Sequence, residues 1–358
     1  MAGGRTLGTE AGWSRSAEPT PRWRALLERA RHGRASEQIL VDDDDRPVRR
    51  APEFDDDRPV RRAPEFDELE PDGRPSLRWQ PTPAPAPEPD GADRAAAVIR
   101  ADLGGPRVLA FANPKGGVHK TTATALAAAT AGSVRGRGVI AWDDNELRGT
   151  LGLRAGSARH ARTIRHLLAD LAQLEIHDGI QLRARLDDYL KHASDGTYDV
   201  LAGEEDPRFA QKLDPYIVRR VLEVLCRTHD VVCVDTGNNV ESPNWRTVIQ
   251  SADQLVVTTV PREDAAFTAD WMLDLLEEAG LGRMVKNAVT LLSCPTPTRS
   301  PLLDDLAAHF RNRTRAVAVV PYDPQLESGS NIDYAMLHPA TKWAWLRATA
   351  TILEPFAR

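Results

Sequence analysis

Lys115 and Lys120 stand five positions apart around Gly116, Gly117, Val118 and His119, and Thr121 and Thr122 follow directly. The chain has six lysines against 40 arginines, and two of the six lie in this loop. Lysine here, in a chain that otherwise uses arginine, points to a need for a compact ammonium. The chemistry open to this set is phosphate binding. Glycines let backbone N–H groups turn inward around phosphate oxygens, and the N-terminus of the helix that follows adds partial positive charge. Lys120 would neutralise the outer phosphates of a nucleotide, while Thr121 would offer its hydroxyl to Mg²⁺.

The elements around the loop fit that chemistry. The apolar run Val108 to Ala112 precedes it, and a helix-forming run from Ala123 to Ala131, which Gly132 can stop, follows it. The alternative, a glycine-bearing turn before a helix that happens to carry lysine, fits this order of strand, loop and helix less well. Six more apolar runs read as strands: Val139–Trp142, Asp199–Ala202, Val231–Val234, Leu255–Val260, Ala288–Leu292 and Ala316–Val320. Helical patterns lie between most of them. Continuous apolar strands alternating with helices imply an α/β fold, a mostly parallel, doubly wound sheet with helices on both faces. Ligand groups then gather at the C-terminal ends of the strands.

The first 100 residues differ in texture. They hold 13 of the 26 prolines, with 17 basic and 20 acidic residues. Such a segment buries too little surface to offset its ordering entropy, so residues 1–95 read as a disordered tail and 96–358 as one domain. Within the tail, residues 22–31 have the pattern of a short amphipathic helix. Asp43 to Phe54 recurs letter for letter as Asp55 to Phe66, which reads as a duplication accident or, alternatively, a bivalent linear motif. Residues 81–90 read as an extended polyproline spacer.

Net charge is −6, which argues against a chain-wide basic footprint for nucleic acid. Cys226, Cys233 and Cys294 lack Cys-x-x-Cys spacing and read as buried thiols in a reducing, cytoplasmic setting. His160, His166 and His177 lack ligand spacing and read as surface residues. No apolar stretch approaches the length of a membrane span.

The pattern Lys115-Gly116-Gly117-x-x-Lys120-Thr121-Thr122 resembles the deviant Walker A motif of the ParA/MinD family of P-loop ATPases. The resemblance covers about residues 105–358. It implies ATP and Mg²⁺ as cofactors, and assigns Lys115 to the phosphates of a partner subunit in an ATP-bound homodimer. It departs at His119, where the family usually has glycine. An imidazole there either crowds the phosphate cradle or hydrogen-bonds a phosphate, making affinity pH-dependent near neutrality.

The resemblance also gives roles downstream. Asp143 would help hold hydrated Mg²⁺, and Asn145 falls where a second Asp orients the attacking water. Asn can orient water but cannot take its proton, so hydrolysis is expected to be slow. Asp144 would point to the opposite side of an extended backbone. An acidic helix-capping turn is the alternative reading of this stretch. Asp235, ending an apolar strand, looks like the Walker B carboxylate and would act opposite Thr121 on Mg²⁺. Pro321, Tyr322 and Asp323 would line the adenine.

The function implied is an ATP-dependent dimerising switch that positions or partitions a cargo: a chromosome, a plasmid, or a secretion or polar complex. A protein partner, ParB-like or a secretion component, would accompany it, at the nucleoid or the pole. Non-specific DNA binding would use Arg311, Arg313 and Arg315, which otherwise read as a solvated helix end. The run Lys342 to Phe356 is amphipathic but poor in basic residues, favouring core packing over membrane targeting. A reductase of this fold needs paired cysteines, and a tyrosine kinase a terminal tyrosine cluster; neither is here. A synthetase shows no further catalytic constellation. A nucleotide-binding scaffold with little turnover is the alternative.

Overall fold

All seven apolar runs become strands in the computed structural model, which describes residues 89–145, 149–154, 162–193, 195–204 and 214–358. The amphipathic stretch 22–31, the tandem repeat and His160 lie outside these residues. The chain enters through α1 (Pro89–Arg100), β1 (Arg107–Ala112), α2 (Lys120–Arg135) and β2 (Val139–Asp144). Four short helices follow: α3 (Leu151–Arg154), α4 (Ile164–Ala169), α5 (Leu171–Glu175) and α6 (Gly179–Leu186). Next come β3 (Lys191–His192), β4 (Asp199–Leu201), α7 (Pro215–Cys226), β5 (Val231–Thr236), α8 (Pro243–Ser251) and β6 (Gln254–Thr259). The chain ends with α9 (Glu263–Leu276), α10 (Gly282–Asn287), β7 (Val289–Ser293), α11 (Leu303–Arg311), β8 (Ala316–Val320) and α12 (Pro339–Leu353).

The sheet order is β3-β4-β2-β5-β1-β6-β7-β8. Every pairing is parallel except β3 on β4. The central strands β2, β5, β1 and β6 are buried almost throughout, because helices cover both faces. The antiparallel strand β3 was not expected from sequence; at two residues it carries no alternation to read. Phe111, Leu126, Val231, Val256 and Trp345 belong to the main apolar cluster, which α1, α2 and α12 close.

Two boundaries differ from the sequence reading. The helix α1 begins at Pro89, inside the stretch expected to be extended. Proline suits a first helical turn, and the alanines behind it favour helix. Gly132 does not stop α2, which runs on to Arg135 and ends at Gly136 in a left-handed cap. Gly132 is instead a contact residue, since a Cβ there would collide with the carbonyl of Thr197.

The C-terminal run is core, as its composition suggests. Trp345, Ile352 and Leu353 of α12 are buried, and among the described residues no helix is long and apolar enough to cross a membrane. The arginine cluster is mostly consumed by the fold. Arg313 pairs with Asp270 and Asp274. Arg315 donates to the carbonyl of Thr351 at 2.7 Å and pairs with Glu354. Arg311 stays exposed.

Candidate nucleotide and metal site

The loop after β1 is anchored by one amide. Asn113 is fully buried. Its Nδ2 donates to the carbonyl of Thr258 at 2.7 Å, and its Oδ1 accepts from the Lys115 amide at 2.9 Å and the Thr268 hydroxyl at 3.0 Å. Val118 is pressed against Val260 and Ala265. Between these anchors the chain curls. Gly117 has φ +72° and His119 φ +61°. Left-handed backbone is free for glycine but costs a side-chain-bearing residue about 1–2 kcal/mol. His119 is the sole non-glycine residue at positive φ among the described residues. It accepts the Ala123 amide through its carbonyl at 2.8 Å, so the strained residue also starts α2.

Three strands deliver the polar groups to one end of the sheet. Lys120, first in α2, is buried and reaches Asp235 Oδ1 at 3.4 Å and the carbonyl of Thr236. Thr121 donates its hydroxyl to Asp235 Oδ2 at 2.6 Å. The β2–β5 register sets Asp143 beside Asp235. Asp143 accepts from the amides of Leu151 at 2.9 Å and Asn145 at 3.2 Å. Burial, and next the charge of Asp235, push the Asp143 carboxyl up to about 7, although both amides and Lys120 oppose the shift. Backbone crowds Asp143 on two sides: a Cβ at Gly149 would stand 2.6 Å from its Oδ2, and one at Gly203 3.0 Å from its Cγ.

Two buried carboxylates and a hydroxyl form a hard oxygen set. It suits Mg²⁺, which keeps waters and takes one or two carboxylates beside substrate phosphates. Among the described residues, no group of three or more His, Cys, Asp or Glu stands together as a metal site. The strand β2 stays extended through Asp144, so alternation sends that side chain to the other face from Asp143.

A cavity of about 180 Å³ opens beside His119. His119, Thr122, Pro321, Tyr322 and Asp323 line it together, joining the loop to the turn after β8. Asp323 has other work there. Its two carboxylate oxygens accept from the amides of Gln325 at 3.0 Å and His338 at 2.9 Å, which fixes the turn. Burial, then Arg154 and Arg262, hold the His119 imidazole below its usual range. Its titration therefore moves away from neutrality toward acid.

Gly116 and Gly117 leave open space above the loop; the atom nearest a Cβ at Gly116 would be Asn238 Nδ2, at 4.0 Å. Lys115 is not among the converging groups. Its Nζ sits 3.3 Å from Asp264 Oδ2, and both side chains are about half exposed. Asn113, Thr236, Asp264 and Arg154 were missed from sequence. Most contacts that reveal them span long separations, although Asn113 also accepts the Lys115 amide only two residues on.

No protein-family model matches the chain. Against the ESX-1 secretion-associated protein EspI of Mycobacterium tuberculosis it is 25% identical over 263 residues, 73% of this chain. The chain spans only 38% of the length of that relative. Among solved structures, the cell division ATPase MinD of Pyrococcus furiosus superposes with a TM-score of 0.53 at 20% identity, over 70% of this chain and 99% of that one. A ParA family ATPase from Chlorobium tepidum gives 0.52 at 17% identity, over 70% and 98%. Apo McdA of Cyanothece gives 0.51 at 14%, over 68% and 98%. The chain has the fold of the MinD and ParA-family ATPases.

Proposed function

We propose that this chain is a ParA/MinD-type switch that binds Mg–ATP at the 113–121 loop, dimerises, and lets go of a cargo on slow hydrolysis. The observation that carries the reading is the convergence of Lys120 and Thr121 on Asp235, with Asp143 in register beside it. Bound Mg²⁺ would neutralise charge developing on the transferred phosphoryl group. The chain's own groups do the positioning. Thr121, Asp143 and Asp235 supply the oxygen ligands, and Lys120 leaves Asp235 for the phosphates. Gly116, Gly117, Val118, His119 and Thr122 shape the cradle, while Pro321, Tyr322 and Asp323 border the base. Lys115, held among the described residues by an exposed ion pair, can reach across to a second copy. Asn145 orients water without accepting its proton, which makes turnover slow. The catalytic domain is residues 96–358, with α1 completing its front.

The cargo that the relatives favour is a secretion complex, because EspI is secretion-associated; a chromosome or plasmid is the competing cargo. The location is cytoplasmic, with a pole or nucleoid as the surface. A scaffold that binds nucleotide with little turnover is the second reading, favoured by Asn145 at the water-orienting position. Calorimetry with Mg–ADP and Mg–ATP, sizing in both, and phosphate release separate these readings. Binding and an ATP-specific dimer with turnover support the switch. Binding without turnover supports the scaffold, and no binding by a folded protein overturns both.

A further inference from the structure

The side chain of Arg154 is a cation near the loop that the function above leaves unused; Arg262, which also acts on His119, is already paired with Asp264. Backbone contacts fix the place of Arg154. The helix α3 is held at its start by Asp143, which accepts the Leu151 amide, and the carbonyl of Gly152 accepts from Lys191 Nζ at 3.2 Å. The carbonyl of Arg154 itself accepts the Ile332 amide at 3.0 Å. Glycine is needed for so close a fit, since a Cβ at Gly152 would lie 2.9 Å from the Cβ of Ala202.

The guanidinium so placed is ill served by the protein. Its Nε and Nη1 are buried and find no hydrogen-bond acceptor among the described residues. Arg135 also has a buried Nε without an acceptor, but its Nη1 donates to the carbonyls of Ile99 and Ala101 and its Nη2 pairs with Asp230. For Arg154 the structure offers only charge at a distance: Asp235 favours its cation, and His119 lies within its field. A cation whose donors are buried without acceptors destabilises the fold that holds it. An anion seated between Asp235 and the His119 turn would relieve that cost. The nearby turn after β8 passes over the same side chain, with the Cβ position of Gly329 3.7 Å from Nη2.

We infer that Arg154 donates, in cis, to the phosphate chain of the nucleotide held by the 113–121 loop, as a second fixed cation beside Lys120. The inference rests on the nucleotide reading of that loop. Two N–H donors on a planar, permanently charged group suit phosphate oxygens. Through the Ile332 amide, the same residue links phosphate occupancy to the 324–333 segment that borders the base cavity.

The test compares wild type with Arg154→Met, Arg154→Gln, Arg154→Lys and Lys120→Ala. Calorimetry reads Mg–ADP and Mg–ATP affinity, and thermal melts read the nucleotide-free protein. Arg154→Met should weaken both nucleotides by roughly ten- to a hundred-fold. It should melt no lower than wild type without nucleotide, because it removes a buried charge that lacks acceptors. Arg154→Lys should recover part of the affinity. Nucleotide affinities of Arg154→Met within two-fold of wild type would overturn the inference while leaving the loop's function intact. If Arg154→Met does not fold, an unchanged affinity in the uncharged Arg154→Gln overturns it equally. Should wild type bind no more tightly than Lys120→Ala, the nucleotide reading falls and Arg154 falls with it.

Discussion

Asp143 and Asp235 are register partners on β2 and β5, two buried carboxylates side by side at the C-terminal edge of the sheet. Lys120 and Thr121 both turn to Asp235, while among the described residues Asp143 leans on backbone amides alone. Such a pair is unfavourable until a cation or a proton joins it.

Asp143→Asn should therefore stabilise the nucleotide-free protein, on the order of 1–2 kcal/mol, by removing one of two like charges while keeping an oxygen for the Leu151 amide. The same change should strip nucleotide binding of its Mg²⁺ dependence. Thermal melts with and without Mg–ADP check both parts. A variant less stable than wild type, with its Mg²⁺ response intact, would remove Asp143 from the cation site.

His119→Gly tests the strained turn. Glycine takes φ +61° freely, which offsets its extra freedom in the unfolded chain, so a gain of about 0.5–1 kcal/mol is expected. The variant also clears an imidazole from the wall of the cavity that His119 shares with Pro321 and Tyr322. Nucleotide should bind several-fold more tightly in calorimetry. A clear loss of affinity would instead make the imidazole a ligand-contacting group.

Much of this site was legible because its parts are local. Lys115 to Thr122 is one uninterrupted loop, and Asp143 and Asp235 each close an apolar run whose strand end could be counted. The sheet was legible for the same reason, since buried parallel strands are written as continuous apolar residues. What escaped depends on packing. Arg154 belongs to the site only because Gly149 and Gly152 let α3 press against Asp143 and β4. Asp264 meets Lys115 only because β6 neighbours β1. Asp323 reads from sequence as lining the base; that its oxygens also serve the amides of Gln325 and His338 follows from how the turn packs.

Lys115 and Asp264 offer a matched pair of variants. An exposed ion pair contributes about 0–1 kcal/mol, so Lys115→Ala should melt within a few degrees of wild type while losing the ATP-dependent dimer. Asp264→Asn should do the reverse, releasing the ammonium and favouring the dimer by up to about five-fold. Sizing in ATP and in ADP reads both. An unchanged dimer in Lys115→Ala would end the role of this lysine between subunits.

Away from the site, beside β4, the fold's stability should depend on pH. Asp199 contacts His192 Nδ1 at 2.7 Å and His229 Nε2 at 3.1 Å. Burial works against its charge, but hydrogen bonds from His229 and then His192 outweigh burial and hold the carboxyl below its ordinary range. A depressed carboxylate stabilises the fold fully above its unfolded pKa, about 3.9, and loses that contribution as pH falls through the lower folded value. Asp199→Asn should thus melt a few degrees below wild type at pH 5. The gap should close as the pH is taken below about 4. A gap that persists unchanged well below that pH would show that packing, not the carboxylate's charge, is what Asp199 contributes.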